Sequence, residues 1–343
     1  MFPDPLRGEP FSGEEIAHAL ALLADPGIGE EAKVSFLGTL HRRGETAGEL
    51  AGFARRLLAM SRPVEIVREG PPLLELCGTG GDGSGFLNVS TAAMFVAAGA
   101  GARVVKHGNR AVSSRCGSAD VLEALGVPLV GDGERCARML SRAGCVFLLA
   151  PAFHPVLAQL APLRRSMGQH GILTVFNLLG PLLNPAKPDF QLTGVYRRDS
   201  LGIYAEAMSL LGRKRAWAVH GVLSTGAGLD ECSLSGETLV ASVEEGSPVP
   251  FPFRMTPETF GLPRRESDDD LAGGDAPSNA RRITAILSGE DRGAARDMIV
   301  MNAAAALRVA GIGSDAAESA ALAAESIDSG SALRSLRALR TSA

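Results

Sequence analysis

Glycine fills four of the six positions in Gly78-Thr79-Gly80-Gly81-Asp82-Gly83. Glycine lets the chain take positive φ and lets main chain come close to a ligand. Successive N–H groups in such a turn form a concave nest for phosphate oxygens. Next comes Asn88-Val89-Ser90-Thr91, opening an Ala-rich run. Asn88, Ser90 and Thr91 suit a helix cap, and their side chains suit a phosphate or a metal. A second polar turn holds Lys106, His107, Gly108, Asn109 and Arg110, then Ser113, Ser114 and Ser118. It adds cationic, amide and hydroxyl donors. A lone GxGG is more often an ordinary strand-to-helix connection. Two such turns one βα unit apart, both rich in anion-binding donors, point to phosphate binding.

Other residues are open to two readings. Asp230-Glu231 follow Gly226-Ala227-Gly228-Leu229. On a strand adjacent acids point to opposite faces, but in a loop both can face one site. Beside a phosphate they suit Mg²⁺, which takes one or two carboxylates plus water and substrate oxygens. Two exposed loop acids is an equal alternative. In Arg164-Arg165, within a helical stretch, one guanidinium suits a bidentate grip on a carboxylate, although spacing alone favours surface arginines. His154, before a proline, reads as structural, and Asp268-Asp269-Asp270 as a solvated turn. Phe176 to Pro185, with two prolines and a glycine, reads as packing or a hinge.

These turns need a frame. Apolar runs predict strands at 73–76, 103–106, 145–149, 172–176, 191–196 and 215–220. Helical periodicity predicts helices at 89–100, 118–125, 133–143, 155–167 and 198–211. Their alternation gives an α/β fold with a central, mainly parallel sheet and helices on both faces. Ahead of it, Ser12-x-x-Glu15 and Thr46-x-x-Glu49 are capping boxes leading into apolar helices, with another helix over 31–41. Residues 1–70, joined by part of 155–185, form a small all-α domain, and 71–343 the large α/β domain. Residues 229–243 suggest a hairpin about Gly236, 246–280 a loop, and 279–287 and 294–310 closing helices.

At 343 residues, 45% hydrophobic and 21% charged, the chain can bury a large core. A net charge of −4 gives no case for a nucleic-acid or anionic-membrane surface, and 5% aromatic content disfavours base stacking. No apolar run approaches a membrane span, and the N-terminus lacks a signal pattern. Five scattered cysteines without a C-x-x-C pair read as reduced cytosolic thiols.

Together, Gly78–Gly83, Asn88–Thr91, Lys106–Ser114, Gly117–Gly126, Phe176–Pro185, Gly228–Ser233 and Gly273-Gly274-Asp275 resemble the anthranilate phosphoribosyltransferases. The resemblance implies a small α domain beside a large α/β domain, and a cytoplasmic homodimer. It implies Mg²⁺-dependent transfer of 5-phosphoribosyl from phosphoribosyl pyrophosphate (PRPP) to the amine of anthranilate, in tryptophan biosynthesis. By the same resemblance, Gly78, Gly81, Asp82, Asn88, Val89, Ser90, Thr91, Lys106, His107, Gly108, Asn109, Arg110, Ser113, Ser114 and Ser118 contact PRPP. Gly78, Asn109 and Arg164 contact anthranilate, while Ser90, Asp230 and Glu231 hold the metal. No general acid or base is implied.

Three departures stand out: Phe86-Leu87 where the family has Thr-Phe, extra residues near 169–171 with Leu173 in place of an arginine, and extra sequence at 222–227. The last two are expected near the acceptor. They leave open the same chemistry on a different acceptor. A nucleoside phosphorylase of related fold fits the Lys106–Arg110 turn and the acid pair less well. A non-catalytic relative that binds single-stranded nucleic acid would lose the loop or the acids and gain a basic groove.

Overall fold

The computed structural model describes residues 1–111 and 115–342. The chain opens with α1 (Gly13–Ala24), α2 (Glu30–Arg43) and α3 (Ala47–Ala59). Both expected capping boxes form, Ser12 with Glu15 and Thr46 with Glu49. Glu49 does more than cap. Its buried carboxylate accepts from Phe11 N–H and Thr46 N–H, each at 3.0 Å, and pairs with Arg43. Glu49→Ala removes that charge and strands Arg43. We expect it to cost about 3–5 kcal/mol, read as a lower thermal midpoint.

The sheet begins with β1 (Leu73–Gly78), and α4 (Val89–Gly99) leads to β2 (Arg103–Gly108). Helices α5 (Ser118–Ala124) and α6 (Gly133–Ala143) precede β3 (Cys145–Leu149). Four short helices follow: α7 (Ala150–Phe153), α8 (Pro155–Gln159), α9 (Ala161–Gln169) and α10 (Val175–Leu179). Next come β4 (Phe190–Gly194), α11 (Leu201–Leu210), β5 (Arg215–Val222), β6 (Gly228–Leu229), β7 (Thr238–Glu244), β8 (Ser247–Pro248) and β9 (Phe253–Met255). The chain closes with α12 (Ala276–Leu287), α13 (Ala294–Ala310), α14 (Ala316–Asp328) and α15 (Ser331–Arg340).

Strand order is β3-β2-β1-β4-β5-β7-β8, with β6 on β5 and β9 on β7. The first five strands are parallel, and β6 and β7 run antiparallel to β5. From β1 the chain winds outward through β2 and β3, then returns to lay β4 on the other side of β1. The junction of β1 and β4 is therefore a topological switch point, where open α/β sheets leave a crevice outside the strand ends.

Two apolar clusters flank the sheet. One gathers α4, α5, α6 and the C-terminal helices around α13, which is buried on nearly every side. The other joins α1–α3 and residues 160–183 to α11 and the far face of β5 and β7. A polar layer lies behind β1 and β4. Glu75, Gln191, Thr193 and Arg213 are all buried there. Arg213 Nε donates to Gln191 Oε1 at 2.7 Å, and Gln191 Nε2 donates to the Pro181 carbonyl at 2.7 Å.

Four expectations change. Residues 172–176 are not a strand. Thr174 Oγ1 accepts from Phe176 N–H and Thr174 N–H donates to Asn177 Oδ1, so a β-branched apolar run becomes the capped start of α10. The single helix expected over 155–167 breaks at Leu160, just before Pro162, whose ring and missing N–H disrupt a continuous ladder. In the region read as a hairpin, the first arm is only Gly228–Leu229, and it pairs with β5 instead of β7. The presumed loop 246–280 contains β8, β9 and the start of α12, which Asp275 caps. Asp268 accepts from Ser224 N–H and Oγ, consistent with a structural turn. All five cysteines are buried, and no disulfide joins any of them among the described residues.

Candidate active site

Strand β1 ends in Gly78 and β4 in Gly194, paired in register. A Cβ on Gly194 would overlap the main-chain carbonyl of Asp230, and one on Gly78 would overlap the Asp230 carboxylate. Both strand ends are bare because the segment carrying the acid pair crosses directly over them. The sheet thereby sets Asp230 and Glu231 at its switch point. Gly194→Ala forces the two chains apart. We expect it to cost about 2–3 kcal/mol, read as a lower thermal midpoint.

The acids bind the very turns singled out in the sequence. Gly80 N–H donates to Asp230 Oδ2 at 2.6 Å, and Ser90 N–H donates to Glu231 Oε1 at 3.1 Å. Lys106 Nζ, buried, donates to the Leu76 carbonyl at 2.7 Å and to Ser90 Oγ at 3.0 Å. Burial lowers the lysine's pKa, and Cys77, Glu231, Glu75 and Asp230 pull it back up. Burial raises Asp230 well above the ordinary carboxylate range, reinforced by the charges of Asp82 and Glu231. It raises Glu231 to about 7, against the pull of Lys106 and the Ser90 N–H.

Asp230 and Glu231, set side by side in this way, are a pair that suits a divalent cation. Among the described residues no three His, Cys, Asp or Glu side chains are grouped to hold a metal unaided. A cation on Asp230 and Glu231 must draw further ligands from water and a bound pyrophosphate, as Mg²⁺ habitually does.

The second turn is less cationic than its composition suggests. Burial and the nearby His154, edge-on at 5.3 Å, push His107 down to about 3, so the ring is neutral. The main-chain N–H of His107 donates to Glu75 Oε1 at 3.1 Å. Arg110 is already paired, with Glu123 at 2.7 Å and Asp120 at 3.2 Å. Asn109 Oδ1 accepts the Arg110 N–H at 2.8 Å, and Ser118 Oγ donates to the Asn109 carbonyl at 3.1 Å. Asn88 heads α4 without a side-chain cap. Its Nδ2 donates to the Cys116 carbonyl and its Oδ1 accepts from Asn279 Nδ2, each at 3.1 Å.

One cavity of about 870 Å³ is lined by every described residue assigned above, from Gly78 through Ser118 together with Arg164, Asp230 and Glu231. Ser113 and Ser114 lie outside the described residues. Arg164 is half-buried and its carbon Cζ lies 5.7 Å from the centroid of the Phe176 ring. Burial lowers its pKa, and among the described residues no carboxylate pairs with it. Arg165 is exposed. Leu173 and Phe86 line the cavity, whereas residues 222–227 do not; they form a turn closed by Leu223 N–H on the Ala227 carbonyl. The sequence reading missed His41 of α2, which also lines the cavity; nothing in its local sequence distinguishes it from its arginine neighbours.

The family model described as "Glycosyl transferase family, a/b domain" matches residues 70–333, which places the chain in that class of transferase. Relatives narrow it further. An anthranilate phosphoribosyltransferase of Rubrobacter xylanophilus is 46% identical over 96% of this chain and 92% of its own. One from Anaeromyxobacter dehalogenans is 44% identical over 97% and 95%. The chain belongs to the anthranilate phosphoribosyltransferase family. Among solved structures, the Thermus thermophilus enzyme matches at a TM-score of 0.88 with 39% identity, covering 98% of this chain and 97% of that one. The Saccharomyces cerevisiae enzyme in complex with PRPP and Mg matches at 0.84 with 31% identity, covering 96% and 92%.

Proposed function

We propose that this protein transfers the 5-phosphoribosyl group of PRPP to the amine of anthranilate, releasing pyrophosphate, as a step of tryptophan biosynthesis. The observation that carries this reading is the shared cavity. It holds the glycine turn, Lys106 and the acid pair alongside a half-buried arginine that pairs with no carboxylate among the described residues.

The amine's lone pair forms a bond to the anomeric carbon as the bond from that carbon to pyrophosphate breaks, its electrons leaving with the phosphate, and the nitrogen then gives up one proton to water. Negative charge grows on the leaving group. N–H groups of the glycine turn and the Lys106 ammonium face that charge, already held in place by Asp230, Leu76 and Ser90. Mg²⁺ on Asp230 and Glu231, with Ser90 nearby, supplies further neutralisation of the departing anion when bound. Arg164 grips the acceptor's carboxylate and Asn109 flanks it, so positioning replaces a strong base. We extend the resemblance to a cytoplasmic homodimer as well; light scattering should give twice the monomer mass.

The test is loss of anthranilate fluorescence with PRPP and Mg²⁺. Turnover that depends on all three components supports the reading. Salt-sensitive oligonucleotide binding without turnover would replace it with the non-catalytic alternative. A second acceptor remains a live reading because Leu173, 44% exposed, puts an apolar side chain on the cavity wall. Faster turnover of another aromatic amine would favour it.

A further inference from the structure

A buried amide outside the cavity joins the two turns that the reaction above places around PRPP. Asn279 lies near the start of α12, is 3% exposed and does not line the cavity. Its Oδ1 accepts from the Gly274 N–H at 2.7 Å, and its Nδ2 donates to Asn88 Oδ1 at 3.1 Å. Asn88 Nδ2 donates in turn to the Cys116 carbonyl at 3.1 Å. The Asn279 side chain also reaches the Cys116 thiol. Just ahead of it in the chain, Ala272 bridges Phe86, so the same strap borders the glycine turn.

The order of these bonds sets which way each amide faces. A main-chain N–H only donates, and a main-chain carbonyl only accepts. Gly274 therefore holds the Asn279 oxygen, and Cys116 holds the Asn88 nitrogen. Turning either amide over would set oxygen against oxygen and nitrogen against nitrogen. Asn88 heads α4, which carries Ser90, and Cys116 stands just before Gly117 and Ser118 of the second turn. A relay of fixed polarity thus spans from one turn to the other, anchored from outside the cavity.

We propose that Asn279 is a positioning residue for PRPP, holding Asn88 so that the exit of the glycine turn and the second turn keep the separation the substrate needs. This rests on the PRPP reading above. It adds that the grip on PRPP depends on a side chain from the C-terminal helices, whereas the acceptor's side of the cavity, at Arg164, does not.

Steady-state assays compare wild type with Asn279→Ala, Asn279→Asp, Asn88→Ala and the double variant Asn88→Ala/Asn279→Ala. Asn279→Ala should raise the KM for PRPP about tenfold, the size of one lost hydrogen bond, and leave the KM for anthranilate within about twofold. Asn279→Asp discriminates further. Its carboxylate still accepts from Gly274 but sets an oxygen against Asn88 Oδ1, so the PRPP KM should rise at least as much. In the double variant the rise should fall well short of the product of the two single rises, because one contact is not lost twice. A wild-type PRPP KM in Asn279→Asp overturns the proposal, since the residue would then serve Gly274 alone. Fully multiplying effects in the double variant overturn it too, as do equal rises in both KM values or loss of soluble protein in both Asn279 variants. If wild type turns over no anthranilate with PRPP, the parent reading fails, and the proposal with it.

Discussion

Arg164→Ala should raise the KM for anthranilate about a hundredfold while the KM for PRPP stays within about twofold, since removing a bidentate charge-assisted grip in a desolvated site is worth roughly 3 kcal/mol. The geometry behind this is simple. The guanidinium lies over Phe176, is half-buried, and has no carboxylate partner among the described residues. A cation withdrawn from water without a counter-ion is poorly placed for stability, and it is well placed for an anion that arrives with substrate. Arg164→Lys keeps the charge but loses the fork, so it should recover only part of the affinity. Truncation should leave the melting temperature unchanged or raise it. An alanine variant with wild-type KM for anthranilate removes Arg164 from the acceptor site.

Asp230→Asn attacks the other side of the reaction. Its carboxylate accepts from Gly80 N–H and stands beside Glu231 and Asp82. An amide keeps the size and one accepting oxygen, so the glycine turn should hold its shape. What goes is the negative charge that suits a divalent cation. Turnover should fall by about 10²–10³-fold, the scale of removing one preorganised stabiliser of the departing charge. Higher Mg²⁺ should restore part of it, whereas the anthranilate KM should barely move. The pair of variants thus separates two functions: Arg164 acts on acceptor affinity and Asp230 on turnover and metal demand. Full activity of Asp230→Asn at low Mg²⁺ would refute the placement of the cation.

What the sequence disclosed follows from how far each signal reaches along the chain. Ser12, Glu15, Thr46 and Glu49 were legible because a capping box is complete within four residues. Strands ending in Gly78 and Gly108 were legible because an apolar run meets a glycine turn. Thr174 misled because a threonine before Val175 and Phe176 looks like strand until Asn177 is noticed as its return partner. Pro162 held a readable signal that periodicity alone overrode.

Other features had no local trace. Asn88 looks like a cap, yet its amide is taken by Cys116 and by Asn279, 191 residues away. Likewise, residue types gave Arg110 and His107 as cations, but Glu123 already occupies the first and burial keeps the second neutral. His41 emerges only once α2 is seen folded against the cavity.

The clasp around Asn88 also bears on how the protein comes into being. Asn279 holds the Asn88 side chain, Gly273 N–H donates to the Gly85 carbonyl at 2.8 Å, and Leu87 N–H donates to the Leu271 carbonyl at 3.0 Å. The glycine-rich turn near the front of the chain is thus tied down by a segment made much later. During synthesis that turn must wait, unfinished, until residues 271–279 have left the ribosome, because contacts so distant in sequence close late. A nascent chain stopped before that point has β1 and its glycines but nothing to pin them. Competence to react therefore waits on the arrival of residues 271–279.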